Sequence, residues 1–446
     1  MSYNIVLGAY SSARGDLSSN SATGVAANAE GVNSRNVASG SFSNSSGDGS
    51  SNIATGYNAI ASGVGSNNSA IGINSNASGD GSQNIAIGTA SNAGGAGTSN
   101  TAVGRDSGAI GANSSAFGAG ARALGSQSAS FGFGSVANGA NSIAAGSGNT
   151  VTGNNSGAFG TGQTVNGNGS FSIGDPNTIN GNNSFVFGDG NSVNSGNTAG
   201  YGNNVQVTGS GNMVAGSASA AGSSVYGSGN TVNATNTVVM GNTGTVTGAS
   251  GIAIGNGVSV AGNNAVAVGT GSSANYANST AVGNGATVTR ANQQVFGTAS
   301  NTYTMGGVSS VASRAAQSGP VQVVTSDAGG NLATSSLAGL GLASSADVGA
   351  INSQLSAINN RLTDIDARTN KAYSGVAMAF AMAGVPTLLP GETFATSMNW
   401  GTFQGGNGLA VNAAMRVGNS MQLNGGVAYG PEGGVAGGRV GLRVGW

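Results

Sequence analysis

Asp175 and Asp189 each stand directly after a glycine and lie 14 residues apart. If the chain repeats with that period, the two carboxylates stack one repeat above the other, about 5 Å apart at strand spacing. A carboxylate pair at roughly that separation is how a retaining glycosidase supplies its nucleophile and its general acid. Asp48 and Asp80 share another repeat position, two repeats apart. A plainer role competes with this chemistry. "GDP" and "GDG" are turn sequences, and Asp belongs in turns because its carboxylate bonds nearby backbone N–H groups. The turn role is the better account, and no enzymatic activity is expected.

The rest of the composition removes chemistry rather than adding it. There are no Cys and no His in 446 residues. Thiol catalysis, disulfides and imidazole bases are excluded, and the commonest metal ligands with them. No Walker motif occurs, and no cofactor or metal is expected. "GDGS" and "GDGN" resemble pieces of calcium-binding nonapeptides, but the nine-residue period is missing. Of 12 basic residues only five, Arg14, Arg35, Arg105, Arg122 and Arg290, precede residue 300. No cluster neutralises a phosphate backbone, so no nucleic acid partner is expected. Outward Thr rows on a solenoid can bind ice, but here Thr alternates with Asn, Ser and Gln.

What positions these residues is a lattice of glycines. The Gly closing each "xAxG" phrase stands at Gly8, Gly24, Gly40, Gly56, Gly72, Gly88 and Gly104, a period of 16. The period then becomes 14, through Gly118, Gly132, Gly146, Gly160, Gly174, Gly188, Gly202 and Gly216. A step of 11 reaches Gly227, and 14 resumes through Gly241, Gly255, Gly269, Gly283 and Gly297, giving 21 phrases. The residue before each Gly is mostly apolar (Ile71, Phe117, Phe187, Ile254). A second apolar centre follows five residues after it (Val151, Val165, Ile179, Val246). Short alternating pieces separated by Gly, Asn and Ser read as two strands and two turns per repeat. Each phrase is then one coil of a parallel β-solenoid or β-roll, which buries its apolar centre only by stacking on its neighbours. At about 4.8 Å per coil such a stack is a rod about 100 Å long.

"SAIG", "NIAIGTAS", "NTAVG", "SAFGAGA" and "IAIGNG" resemble the head repeats of trimeric autotransporter adhesins, the YadA-like family. The resemblance covers residues 4–297 and implies a left-handed parallel β-roll in a trimer. Residues 298–344, where "PVQVVTSD", "AGG" and "NLATS" read as strand, turn and return strand, resemble the family's connector and neck.

From residue 345 the spacing changes. Val348, Ile351, Leu355, Ile358, Leu362 and Ile365 alternate by 3 and 4, a heptad seam continued by Thr369, Ala372, Val376, Ala379 and Ala383. Leu at a with Ile at d favours more than two strands in a coiled coil. The sequence predicts a stalk and lumen helix over 345–385, ended by Pro386. Four alternating segments fill 386–446. One face carries Met398, Trp400, Leu409, Val411, Leu423, Tyr429 and Leu442, and the other Asn399, Gly401, Asn412, Asn424 and Gly441. Strands of this length with one apolar face match outer-membrane barrels, which must close to satisfy their edges. Four strands cannot close; three chains would supply twelve.

Residues 345–446 closely resemble the family's membrane anchor, through the heptads running into "GVAMAFAMAGVP", the four amphipathic strands and the terminal Trp446. The resemblance implies a homotrimer in the lipid of the bacterial outer membrane, displayed at the cell surface. It implies that the barrel-assembly machinery reads Trp446, and that Gly401 is the lumen glycine that lets chains pass. It also implies adhesion to host extracellular matrix or another surface, with a non-adhesive structural fibre, or a fragment of a longer adhesin, as the alternative. "NSIAAG", Asn141, Ser142, Ile143, Ala144, Ala145 and Gly146, is the phrase nearest the family's collagen-linked motif, with Ala145 where Ile is expected. The opening "MSYNIVLGAYSSARG" lacks a basic n-region and an apolar core, so the resemblance implies an export signal further upstream.

Overall fold

A computed structural model describes all 446 residues. Contacts divide them into two units, Met1–Tyr303 and Thr304–Trp446. The first unit is a parallel β-solenoid. Its main ladder is a 20-stranded sheet of three- to five-residue strands beginning at Ile5–Leu7. A second ladder of 11 two-residue strands runs from Gly108–Ala109 to Ser259–Val260. Before Gly108 the second ladder is reduced to single bridges, Ser12 to Asn28 to Asn44 and onward. Val holds the inward position of the continuous ladder from Val151, whereas the earlier coils place Ala or Ser there. The ladder becomes continuous with the first 14-residue coils, where Ala109, Ala123 and Ala137 still hold the inward position. The start of the regular strand thus follows the shorter coil, and the branched residues further on suit the extended backbone already formed.

The structure fixes the direction of the alternation, which the spacing leaves open. The small residue two before each phase glycine points inward: Ala22, Ala54, Ala86, Ala116, Val186 and Ala253 are all buried. The large residue just before the glycine points out, as Ile71, Phe117, Phe187 and Ile254 do. The second centre, Val151 to Val260, is buried as its spacing predicts.

The change from 16 to 14 residues falls where the lattice places it, since Thr101 pairs with Ser115. The lattice is wrong at Gly202 and Gly216. Phe185 pairs with Gln206, and Gln206 with Ser224, so the phase glycines after Gly188 are Gly209 and then Gly227. Burial decides it. Two residues before Gly202 stands Gly200, with no side chain to bury, whereas Val207 stands two before Gly209 and is fully buried. Val214 before Gly216 is buried too, but in the second ladder.

The phase glycines are required by coil contact as well as by backbone angle. Gly24 has φ 130°, and a Cβ there would sit 2.6 Å from the carbonyl carbon of Gly40 in the next coil. A second glycine line, Gly15, Gly31, Gly47, Gly63 and Gly79, meets the next coil in the same way.

The interior is not purely apolar. Asn20, Asn36, Asn52, Asn68, Asn84 and Asn100 recur every 16 residues and are buried. Asn36 Oδ1 accepts from the Asn52 N–H at 3.1 Å and the Ser50 hydroxyl at 2.8 Å, while its Nδ2 donates to Gly47 O at 2.9 Å. Buried amides of this kind cost little because nearly every donor and acceptor is used. A second ladder, through Asn149, Gln163, Asn177, Asn191, Asn212 and Asn230, runs along a different corner of the 14-residue coils.

In the second unit, Val323–Ser326 pairs antiparallel with Leu332–Ser335, the hairpin that the sequence predicts. A 39-residue helix, Ser345–Ala383, follows. Ser344 caps it: its hydroxyl accepts from the Asp347 N–H, and Asp347 accepts in return from the Ser344 N–H. Four antiparallel strands, Phe394–Phe403, Gly406–Arg416, Met421–Gly430 and Val435–Val444, pair in chain order.

Gly255 and Gly257 separate the two demands on glycine. A Cβ at Gly255 would lie 2.8 Å from the Gly269 backbone, whereas Gly257 (φ 63°) has open space around it. Gly255→Ala is expected to lose about 2 kcal/mol or more, from strain and overpacking together. Gly257→Ala is expected to lose about 1 kcal/mol from its left-handed backbone alone. Thermal loss of the β-sheet circular dichroism signal in the two variants measures the difference, and equal midpoints would refute the coil-contact account.

Candidate functional site

The carboxylates come first because they are the strongest chemical candidates. Asp189 Oδ1 accepts the Asp175 N–H at 2.8 Å, and Asp175 Oδ1 accepts the Thr161 N–H in turn. Asp48 and Asp80 do the same for the Val32 and Val64 N–H groups, each at 2.8 Å. Each Asp thus ties its coil to the preceding one. Asn242 and Asn256 occupy the position of Asp175 and Asp189, each directly after a phase glycine, and accept from the Ser228 and Asn242 N–H groups. An amide does the same work there, so the position asks for an acceptor oxygen and not for a charge. No group of three His, Cys, Asp or Glu side chains gathers anywhere.

Residues 141–146 are mostly structural. Asn141 sits in the left-handed region at φ 56°, and its Nδ2 donates to Asn155 Oδ1 at 3.2 Å. Ser142 is buried, with its hydroxyl on Gly139 O, Ala144 is buried in the core, and Gly146 is a phase glycine. Asn141, Ile143 and Gly146 are exposed and Ala145 is half-buried, so of the six only Ser142 and Ala144 are withdrawn from the surface.

The largest feature of the solenoid is the outer face of its main ladder. Ile53, Ile85, Ile143, Phe171, Phe185 and Val238 join the residues preceding the phase glycines to pave it with apolar side chains. Phe117 and Phe131 stack with centroids 5.5 Å apart and rings almost parallel. Polar pairs interrupt the paving at Ser21 and Thr23 and at Gln206 and Thr208, and between them the apolar side chains are grouped rather than scattered singly.

In the second unit, the seam residues Val348, Ile351, Leu355, Ile358, Leu362 and Ile365 all lie exposed along the helix. The last turns use a different face against the sheet: Ser374, Ala377, Met378 and Ala381 are buried. Ala379 and Ala383, on the seam, remain exposed. The sheet meets the helix with glycine. A Cβ on Gly401 would lie 2.7 Å from the Ala381 nitrogen, and one on Gly408 2.6 Å from the Ala377 carbonyl carbon. Ala410, Asn412, Ala414 and Ala428 fill the rest of that face.

The opposite face is apolar and exposed. Trp400 pairs with Leu409 and Leu409 with Tyr429, while Met398 pairs with Val411 and Val411 with Val427. Trp446 lies past the fourth strand and is fully exposed. The first and fourth strands of the sheet have no outer neighbour. No helix is long and apolar enough to cross a membrane.

The buried Asn ladders are what the sequence reading missed. Their signal was present as Asn recurring in constant phase, at 20, 36, 52, 68, 84 and 100. No family model matches the chain.

The helix start carries a pH dependence. Hydrogen bonds from the Ser344 backbone and hydroxyl hold the Asp347 carboxyl below its ordinary 3.8. The folded state therefore binds fewer protons than the unfolded one, so the cap contributes above the ordinary value and is lost as pH falls through the lowered one. Hydrogen exchange of the first helical turn is expected to accelerate below about pH 4 in the native chain, by protonation of the cap. Asp347→Asn should abolish that acid step, and an unchanged step would remove Asp347 from the explanation.

Proposed function

We propose that this chain is a homotrimeric bacterial surface adhesin of the YadA-like kind, anchored in the outer membrane by a barrel of three four-stranded segments. The observation that carries the reading is the four-stranded sheet. One face is apolar and exposed, the other is built of Gly and Ala against a helix, and both edges are unpaired. Unpaired edges are not tolerated in lipid, where no water replaces the missing partners. Three copies side by side leave no edge, present the apolar faces to lipid and gather three helices inside. Each helix meets its own sheet through Ala377, Met378 and Ala381, which leaves the Ala372, Ala379 and Ala383 stripe for its two neighbours. The exposed seam from Val348 to Ile365 continues that association as a stalk.

The solenoid fits the same assembly. Its paved outer face is one that three heads can bury together, leaving the remaining surface to meet a host matrix or another cell. Contacts repeated along three copies bind by avidity rather than through one pocket. The barrel serves export as well as anchoring, with Gly401 at the narrow contact and Trp446 read by the barrel-assembly machinery.

The test has two arms. The full chain in detergent should run unheated at three times the 42.2 kDa of one chain and fall to one on boiling. A single-chain mass in both conditions would remove the anchor. Cells displaying the chain should then attach to matrix-coated surfaces and clump, and should lose both behaviours when residues 1–303 are deleted. Unchanged attachment by a trimeric deletion variant would leave a structural fibre instead of an adhesin.

A further inference from the structure

The helix-side face of the four-stranded sheet changes character past the end of the helix. Asn399 Nδ2 donates to Gly384 O at 2.6 Å, and Asn412 Nδ2 approaches Ala381 O and Gly384 O at 3.4 Å. These amides already serve the last helical carbonyls. Beyond them the face is basic. Arg416 pairs in register with Gln422, and Gln422 with Arg443, so the three form one row across three strands. Two strand spacings separate the arginines, about 10 Å between Cα atoms. Each side chain is long enough to reach over Gln422 to a shared group.

Arg439 lies farther along the fourth strand, opposite Gly426. Its guanidinium donates to Asn424 Oδ1 at 3.3 Å, so it leans one row toward the other two. Gly441 makes room for that approach, since a Cβ there would lie 2.8 Å from the same Asn424 oxygen. Three arginines thus share one end of this face, in register around Gln422 and Asn424, with the Arg439 guanidinium bonded to Asn424. No carboxylate lies within 4.0 Å of any of them. The two acids of this segment are engaged elsewhere: Glu392 accepts from the Leu389 N–H, and Glu432 accepts from Asn407 across a hairpin. Like charges that gather without a counter-charge repel, and a multivalent anion reverses the sign of that energy.

We propose that Arg416, Arg439 and Arg443, gathered around Gln422 and Asn424, hold a phosphate-bearing anion. Guanidinium groups suit phosphate because each offers two parallel N–H donors to two oxygens. Gln422 adds a neutral donor between them. The row sits at the strand ends, next to the turn between the second and third strands, open to free phosphate; in the proposed barrel this face turns inward, and a lipid headgroup reaches it over the strand ends. The site needs only the four-stranded sheet; a headgroup as its natural occupant rests on the membrane-anchor reading above.

The test uses the full chain in detergent, with inorganic phosphate as one probe and phosphatidylglycerol in mixed micelles as the other. Equilibrium dialysis should show saturable phosphate binding that weakens roughly tenfold in R416Q/R443Q, as expected for loss of paired charge-assisted bonds. R439Q should weaken it severalfold, and R416K/R443K should fall between, keeping charge but losing the two-pronged geometry. R361Q, in the helix seam region, should bind like the native chain. Circular dichroism of each variant separates lost binding from lost folding, and R416K/R443K keeps the comparison if the glutamine variant does not fold. Retention of phosphatidylglycerol over phosphatidylcholine without phosphate binding assigns the site to a headgroup. Binding of phosphate alone assigns it to the free anion. Equal binding of both probes by the native chain and R416Q/R443Q, or binding of neither, overturns the proposal. The unheated mass of the same sample keeps the readings apart: a monomer that binds phosphate removes the trimer and leaves the site, and a trimer that does not bind removes the site alone.

Discussion

Everything in the solenoid depends on how closely one coil lies on the next. Strand spacing fixes the rise at about 4.8 Å per coil, and at the glycine lines backbone rests on backbone with no room for a Cβ. Gly24 against Gly40 and Gly15 against Gly31 are the contacts that set it. The coil is narrow, so the inward positions accept Ala, Ser and Val and nothing larger than Ile179 or Gln163. The bulk of the apolar residues must go somewhere else, and they go outside. An exposed row of Phe and Ile is therefore a direct product of the tight interior.

The second unit solves a similar problem with similar means. A helix can lie flat on a strand only where side chains are missing, and Gly401 and Gly408 are missing them where Ala377 and Ala381 come down. Large residues are again displaced to the far face, where Trp400, Leu409 and Tyr429 form a band. In both units the small residues mark the inside of one chain and the large ones mark what that chain offers to its surroundings.

Much of this was legible in the residue pattern. Period, strand positions, the shift at Gly104, the hairpin after Val323 and the end of the helix before Pro386 all follow from spacing and turn chemistry. The direction of the alternation was not legible, because "xAxG" looks the same whichever side Ala faces; only the width of the coil decides. Gly202 and Gly216 misled because a chain one-fifth glycine offers many glycines near any expected position. Gly209 and Gly227 keep the phase there, marked by the buried Val207 and Val225 two residues before them. The buried Asn ladders escaped because Asn is a turn residue by habit, and its burial depends on carbonyls such as Gly47 O that only a neighbouring coil supplies. The arginine group escaped for a related reason: Arg416 and Arg443 are far apart in the chain and meet only across Gln422.

The two Asn ladders do not join. The first ends at Asn100, whose Oδ1 accepts the Ser114 N–H, and the second begins at Asn149 along another corner. Between them no buried side-chain amide bridges successive coils; the exposed amides of Asn113, Asn154 and Asn155 do so near the two ends of the gap, accepting from Ser99, Ala140 and Asn141. The Ser114 and Ser135 hydroxyls reach a neighbouring coil, while those of Ser128, Ser130 and Ser142 turn back on their own. The rod is therefore two stiffened segments with a lighter splice between them. A load pulling along its axis is shared by backbone and buried amide rungs in those segments, whereas in the splice it is shared by the backbone rungs with hydroxyls and exposed amides.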